Sequence, residues 1–279
     1  MPNTQYEERL GTDRMLPLVF RMALPAVAAQ LVNLLYTLVD RVYIGHIPGI
    51  GTDALAGVGV TSSVIILISA FSAIVAGGGA PLAAIALGQG HRERAGKILG
   101  NGFVLLVLFA VVTSIVSYLF MKPILTSIGA STHTLPYAVD YLSVYLLGTL
   151  FVEVAVGLNT FINCQGRPGV AMCSVIIGAV LNIVLDPLFI FTFGMGVKGA
   201  ALATILSQAC SAVWVLAFLT SKRASLQLER RYLQLDRRIV GATLALGLSP
   251  FIMASTESLV GFVLNGSLER YGDIYVSAL

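Results

Sequence analysis

The sequence predicts an all-α polytopic membrane protein. Three observations carry that reading. Hydrophobic residues make up 57% of the 279 and charged residues only 11%, where soluble domains carry about a quarter charged. Seven apolar stretches are long enough to cross a bilayer, each needing about 20 residues. Turn residues punctuate these stretches, and no segment alternates with the period of two that a β-barrel strand requires.

The expected spans are 15–44, 54–84, 98–121, 135–161, 169–193, 199–220 and 239–264. Breaks fall at Pro48-Gly49, Gly88-Gln89-Gly90, Gly166-Arg167-Pro168-Gly169 and Gly194-Met195-Gly196. The 28 Gly are in keeping with close helix packing in a membrane. The net charge of +3 follows from basic loops. With the N-terminus inside, 13 of the 17 Lys and Arg fall on inner segments, among them Arg14, Arg92, Arg94, Lys97, Arg167, Arg223 and Arg238. Arg41, Lys122, Lys198 and Arg270 fall outside. The positive-inside rule then gives a cytoplasmic N-terminus in the plasma (inner) membrane. Residues 221–238 form the longest polar connection, and Leu226, Leu228, Tyr232 and Leu233 make it partly amphipathic. It is expected to be a cytoplasmic helix lying on the membrane surface, at a seam between two bundles.

Catalytic motifs fail on context. Gly194, Gly196 and Gly199 satisfy GxGxxG but follow no strand, so a helix–helix turn is expected there. Gly96-Lys97 is followed by Ile98, not Ser or Thr. His46, His91 and His133 form no HExxH. The cysteines Cys164, Cys173 and Cys210 read as small apolar packing residues. No enzymatic activity, cofactor or nucleic-acid partner is expected.

Function is expected where carboxylates enter the membrane. Asp40, Glu153, Asp186 and Glu257 lie within predicted spans, and each costs about 2.5–3.5 kcal/mol at a helix centre. Arg41 adjoins Asp40 but points about 100° away around a helix. Unpaired intramembrane acids bind a cation or take up a proton. Asp40, Asp186, Thr204 and Tyr141 fall at similar depth on four spans. Asn33, Tyr36, Thr37 and Asp40 form one stripe at i, i+3, i+4 and i+7. Asn182 and Asp186 are one turn apart. Pro25 and Pro187 remove backbone donors and free carbonyls, so both helices are expected to bend. Glu153 points away from the Tyr141 face, as a packing residue or a second polar site. Asn159 shares the face of Tyr141, about 27 Å deeper at 1.5 Å per residue.

These residues carry a resemblance. The stretch LPAVAAQLVNLLYTLVDRVYIG resembles the first helix of multidrug and toxic compound extrusion (MATE) transporters. ALAGVGV, GGGAPLAAIALGQG, NTFINCQGRPGVAM, GAVLNIVLDPLFIF and GVKGAALATILSQ follow in the family's order. LGLSPFIMASTESLVGFVLNGSLERYG is similar to the MepA-like bacterial branch. The resemblance implies a six-helix N-lobe (15–220) after a cytoplasmic N-terminus (1–14), an inter-lobe linker (221–238), and the first helix of a truncated C-lobe (239–279). It implies a cation-coupled antiporter, driven by H+ or Na+, that exports cationic or amphipathic drugs and is monomeric at full length among membrane lipids.

The family's first-lobe cation site matches Asp40, Asp186, Asn182 and Thr204, which would hold Na+ or a proton. Tyr141 matches a tyrosine of that network and Ala200 a carbonyl ligand. Pro25 matches the hinge of the first helix. In another branch a seventh-helix glutamate serves, and Glu257 sits in that helix. Substrate contacts are expected at Asn33, Tyr36, Thr37, Tyr145 and Asn159. Two readings compete: a lipid-linked oligosaccharide flippase of the same superfamily, which would need cavity-facing cations, and a seven-helix receptor.

Overall fold

The computed structural model describes residues 15–268. The tails, with the expected N-terminal segment 1–14 and Arg270, lie outside the described residues. The long helices are α1 (Met15–Gly45), α2 (Gly51–Ile74), α4 (Arg92–Leu119), α6 (Leu135–Cys164), α7 (Pro168–Pro187), α8 (Val197–Thr220) and α9 (Arg237–Leu268). Shorter pieces are α3 (Ala80–Gly88) and α5 (Met121–Ile128). A π-turn at Val75–Gly79 joins α2 to α3, and another at Leu188–Thr192 extends α7. Among the described residues seven spans are long and apolar enough to cross a membrane. They match the seven expected from sequence, with shifted ends: the second runs Gly51–Gly88 and the first begins at Ala23. The chain is therefore a multi-pass membrane protein.

Local chemistry sets these boundaries. Gly194 and Gly196 take positive φ (64° and 56°), which a side chain would resist, so the apparent dinucleotide motif is a tight helix–helix turn. The sequence reading did not foresee α5. It forms because Met121, Leu125 and Ile128, at i, i+4 and i+7, are all buried, and it stops at Gly129 in the left-handed region.

The central element is α6, two thirds of whose most apolar stretch is buried. On one side Leu158, Phe161 and Ile162 pack with Leu99 and Leu106 of α4 and Val215 of α8. Toward its start Leu142 and Leu146 pack with Val60 and Ile68 of α2 and with α5. Tyr141 and Tyr145 pack with Ile44 of α1, Ile190, and Ala200 and Ala201 of α8. α1 is the loosest span: none of its most apolar stretch is buried, and it leans mainly on α7. α9 crosses α2 at the π-turn, where glycines allow backbone contact. A side chain at Gly78 would collide with the Thr243 carbonyl, and one at Gly247 with the Ile74 carbonyl.

The connection before α9 is not the surface helix expected. It is extended, with a single 3₁₀ turn at Arg230–Tyr232. Its apolar side chains turn into the bundle instead of toward lipid: Leu226 and Tyr232 are buried, with the Tyr232 ring against Gly96 and its backbone carbonyl against Gly100. Its backbone is satisfied by buried amides. Leu226 N–H donates to Gln165 Oε1 at 3.0 Å. Asn101 donates to the Gln234 carbonyl at 3.1 Å and accepts from the Asp236 N–H at 2.7 Å. Those partners replace the internal hydrogen bonds that a helix would make. Asp236 then caps α9, accepting the Arg238 N–H at 2.8 Å.

Candidate functional site: a carboxylate pair above a cavity

The stripe on α1 divides on folding. Asp40 is buried and Tyr36 half-buried, whereas Asn33 and Thr37 are exposed. Thr37 donates its hydroxyl to the Asn33 carbonyl at 2.9 Å. α7 leans on the Asp40–Tyr36 side of α1 and contributes Asn182 and Asp186, both buried. The Asp40 and Asp186 carboxyls meet within hydrogen-bonding range. Such a contact needs a proton or a cation between the two, because bare carboxylates repel in a medium that screens poorly.

Neutral groups complete the cluster. Asn182 Nδ2 donates to Asp186 Oδ1 at 3.1 Å and lies 3.5 Å from Thr204 Oγ1. Thr204 donates to the Ala200 carbonyl at 3.0 Å. Tyr141 contacts Thr204 through its hydroxyl and stacks on Tyr145 with centroids 6.2 Å apart. Pro187 directly follows Asp186 and leaves the Ile183 carbonyl without its helical donor, and the π-turn begins there.

Three buried acceptor atoms of this cluster have no partner: Asp40 Oδ1, Asp186 Oδ2 and Asn182 Oδ1. A buried polar atom left unpaired costs about 1–3 kcal/mol. An oxygen-rich pocket with spare acceptors suits a hard cation or a proton, and the donor set fits the ion expected from sequence.

Toward the basic end of the bundle the cluster gives onto a cavity of about 290 Å³. Pro25, Ala29, Asn33 and Tyr36 of α1 line it, with Asn159 of α6, Met172 of α7 and Gln208 of α8. Tyr36 links the two regions. It faces the cavity, contacts Gln208 through its hydroxyl, and feels both carboxylates. Among the described residues no charged side chain lines this cavity.

Of the expected substrate contacts, Asn33, Tyr36 and Asn159 line the cavity. Tyr145 does not: it is buried under Tyr141 in the core, because the helical register turns it toward α1 and α8. Thr37 is exposed and bonded back to its own helix, outside the cavity. Glu257 is exposed on α9, apart from the cluster. Glu153 is buried with neither carboxylate oxygen partnered. Sequence reasoning missed Gln208, although it lies one turn beyond Thr204 on the same face of α8.

The MatE family model matches residues 25–188, more than half of the chain and inclusive of both carboxylates. The chain belongs to the MatE family. Multidrug export protein MepA of Staphylococcus haemolyticus (strain JCSC1435) is 22% identical over 260 residues, which span 93% of this chain and 57% of MepA. The solved structure of the MATE multidrug transporter DinF-BH superposes with a TM-score of 0.90 at 32% identity, over 97% of this chain and 60% of that one. An inward-facing MATE transporter of the MOP superfamily gives 0.82 at 26% identity, over 93% and 59%. The chain thus spans under two thirds of the length of these relatives. The family is one of multidrug efflux transporters, as the resemblance implied, and the six spans from α1 to α8 supply the six-helix architecture expected.

Proposed function

We propose that this MatE chain forms the ion-coupling lobe of a cation-driven multidrug antiporter. One observation carries the reading: two buried carboxylates in contact, with unpartnered acceptor oxygens around them, one helical turn from a residue that lines a cavity. The basic end faces the cytoplasm of the inner membrane, by the positive-inside rule.

A cation arriving from outside, H+ or Na+, occupies Asp40 and Asp186, with Asn182 Oδ1 and Thr204 Oγ1 as further oxygen ligands. Carboxylate repulsion across the α1–α7 contact is relieved, and α1 draws onto α7. Tyr36 and Asn33 move with α1, so the cavity narrows and a bound drug is expelled. The loose packing of α1 makes it the mobile element, and Pro25 gives it a place to bend. An inward potential of 100 mV contributes about 2.3 kcal/mol per charge moved, enough to shift a rocking equilibrium some fiftyfold. The mixed amide, Met and Ala lining suits amphipathic organic molecules. Among the described residues that wall is uncharged, which disfavours the flippase reading, since a pyrophosphate lipid needs cationic side chains to meet it.

The test is drug efflux from energised vesicles containing the intact gene product, with Asp40→Asn and Asp186→Asn. The reading expects ion-driven efflux to fall at least tenfold in each while drug binding persists. Efflux at the unmodified rate in both variants would overturn it.

A further inference from the structure

A second, larger cavity lies at the basic end, in the seam between α4 and α9. Its volume is about 840 Å³. Arg92, Arg94 and Lys97 of α4 line it, with Arg238 of α9. Two acids also line it, and both are engaged. Glu93 pairs with Lys97 at 2.9 Å, and Asp236 caps α9. The positive ends of two long helices point to the same place, because α4 begins at Arg92 and α9 at Arg237. No side chain caps α4. Cations crowded at a helix N-terminus repel its dipole, and an anion relieves both at once.

The other wall is apolar. Leu82, Ile98, Ile239 and Ala242 line it, and three of these spans run on into the membrane from here. A cationic rim above an apolar wall, at the boundary of a span, has the chemistry of a phospholipid site. A free anion would leave the apolar wall uncovered. Basic pockets between transmembrane helices on the cytoplasmic side are known to hold anionic head groups.

We propose that this groove binds one anionic phospholipid of the inner leaflet. Its phosphate sits between Arg94 and Arg238, and its acyl chains lie along Leu82, Ile239 and Ala242. The lipid bridges α4 to α9 across the seam that the linker spans. The inference rests on the orientation given above, not on drug export, so its test reads lipid binding alone.

The experiment is native mass spectrometry of the delipidated intact gene product, titrated with phosphatidylglycerol or phosphatidylcholine. Arg94→Gln/Arg238→Gln is compared with Lys222→Gln/Arg223→Gln, which removes two exposed cations of the linker outside the groove. Ala242→Trp fills the groove at constant charge, and tests the site should the double variant not fold. At about 1 kcal/mol per cation near a surface, the first pair should weaken phosphatidylglycerol binding about thirtyfold. Ala242→Trp should abolish it, and the linker pair should leave it unchanged, with phosphatidylcholine unaffected throughout. Undiminished binding in the groove variants overturns the proposal. So does an equal loss in the linker pair, which means diffuse surface charge, or displacement by inorganic phosphate, which means a free-anion site.

Discussion

Replacing Asp186 by Asn should stabilise the ion-free protein and remove its response to cations. Asp186 is fully buried and its Oδ2 has no partner. Placing such an acid in a helix core costs about 2.5–3.5 kcal/mol. The isosteric amide removes a charge and supplies a donor toward Asp40, so about 1–2 kcal/mol should return. The unmodified protein, in contrast, gains from cation binding by mass action, about 2.7 kcal/mol at a hundred times the dissociation constant. At roughly 2–4 °C per kcal/mol for a domain of this size, that is a shift of about 5–10 °C. Scanning fluorimetry across a sodium titration and a pH series measures it. Binding to the folded state alone fixes the sign: melting temperature rises with sodium, or as pH falls, according to which ion is bound. The Asn variant should melt higher than the unmodified protein without cation, and its melting temperature should stay flat. A cation-dependent shift of the same size in Asp186→Asn would refute the reasoning.

Other outcomes follow from the packing. Ala29→Trp should fill much of the 290 Å³ cavity, abolishing drug efflux while leaving the cation-dependent melting shift intact. Glu153→Gln should raise stability by about 1 kcal/mol, because both of its carboxylate oxygens are buried without partners, and efflux should persist; a loss as deep as that in Asp40→Asn would make Glu153 part of the coupling site. Gly78→Leu should push α9 from α2 at the Thr243 carbonyl, costing about 1–3 kcal/mol and read as a lower melting temperature. Asn101→Ala frees the linker from its two hydrogen bonds, so limited trypsin digestion at Arg230 and Arg231 should accelerate severalfold.

The sequence revealed the spans and the acid pair for one physical reason. Lipid tolerates neither an interrupted apolar run nor an unpaired charge, so both stand out in the chain. Asp40 and Asp186 could be set at equal depth because α1 and α7 run in the same direction with a known rise per residue. What the chain alone did not reveal depended on rotation and on tertiary partners. Tyr145 and Tyr141 are four residues apart on one face, yet α1 and α8 cover both, and no local pattern encodes that cover. Thr37 shares the Asp40 stripe but falls at its edge, where its hydroxyl bonds within α1. The linker looked helical because Leu226, Leu228, Tyr232 and Leu233 recur at helical spacing. The deciding partners, Gln165 and Asn101, lie 61 and 135 positions away from the residues they hold. The π-turn at Val75–Gly79 was signalled only by a run of glycines, whose purpose appears once α9 is laid across them.

The central claim is that Asp40 and Asp186 together hold one transported positive charge. Equilibrium binding of radioactive sodium, paired with proton release measured on the same purified protein, counts it directly. The account predicts one charge taken up per chain, as sodium or as a proton, and none when both residues are Asn. Full uptake by the doubly substituted protein would contradict it.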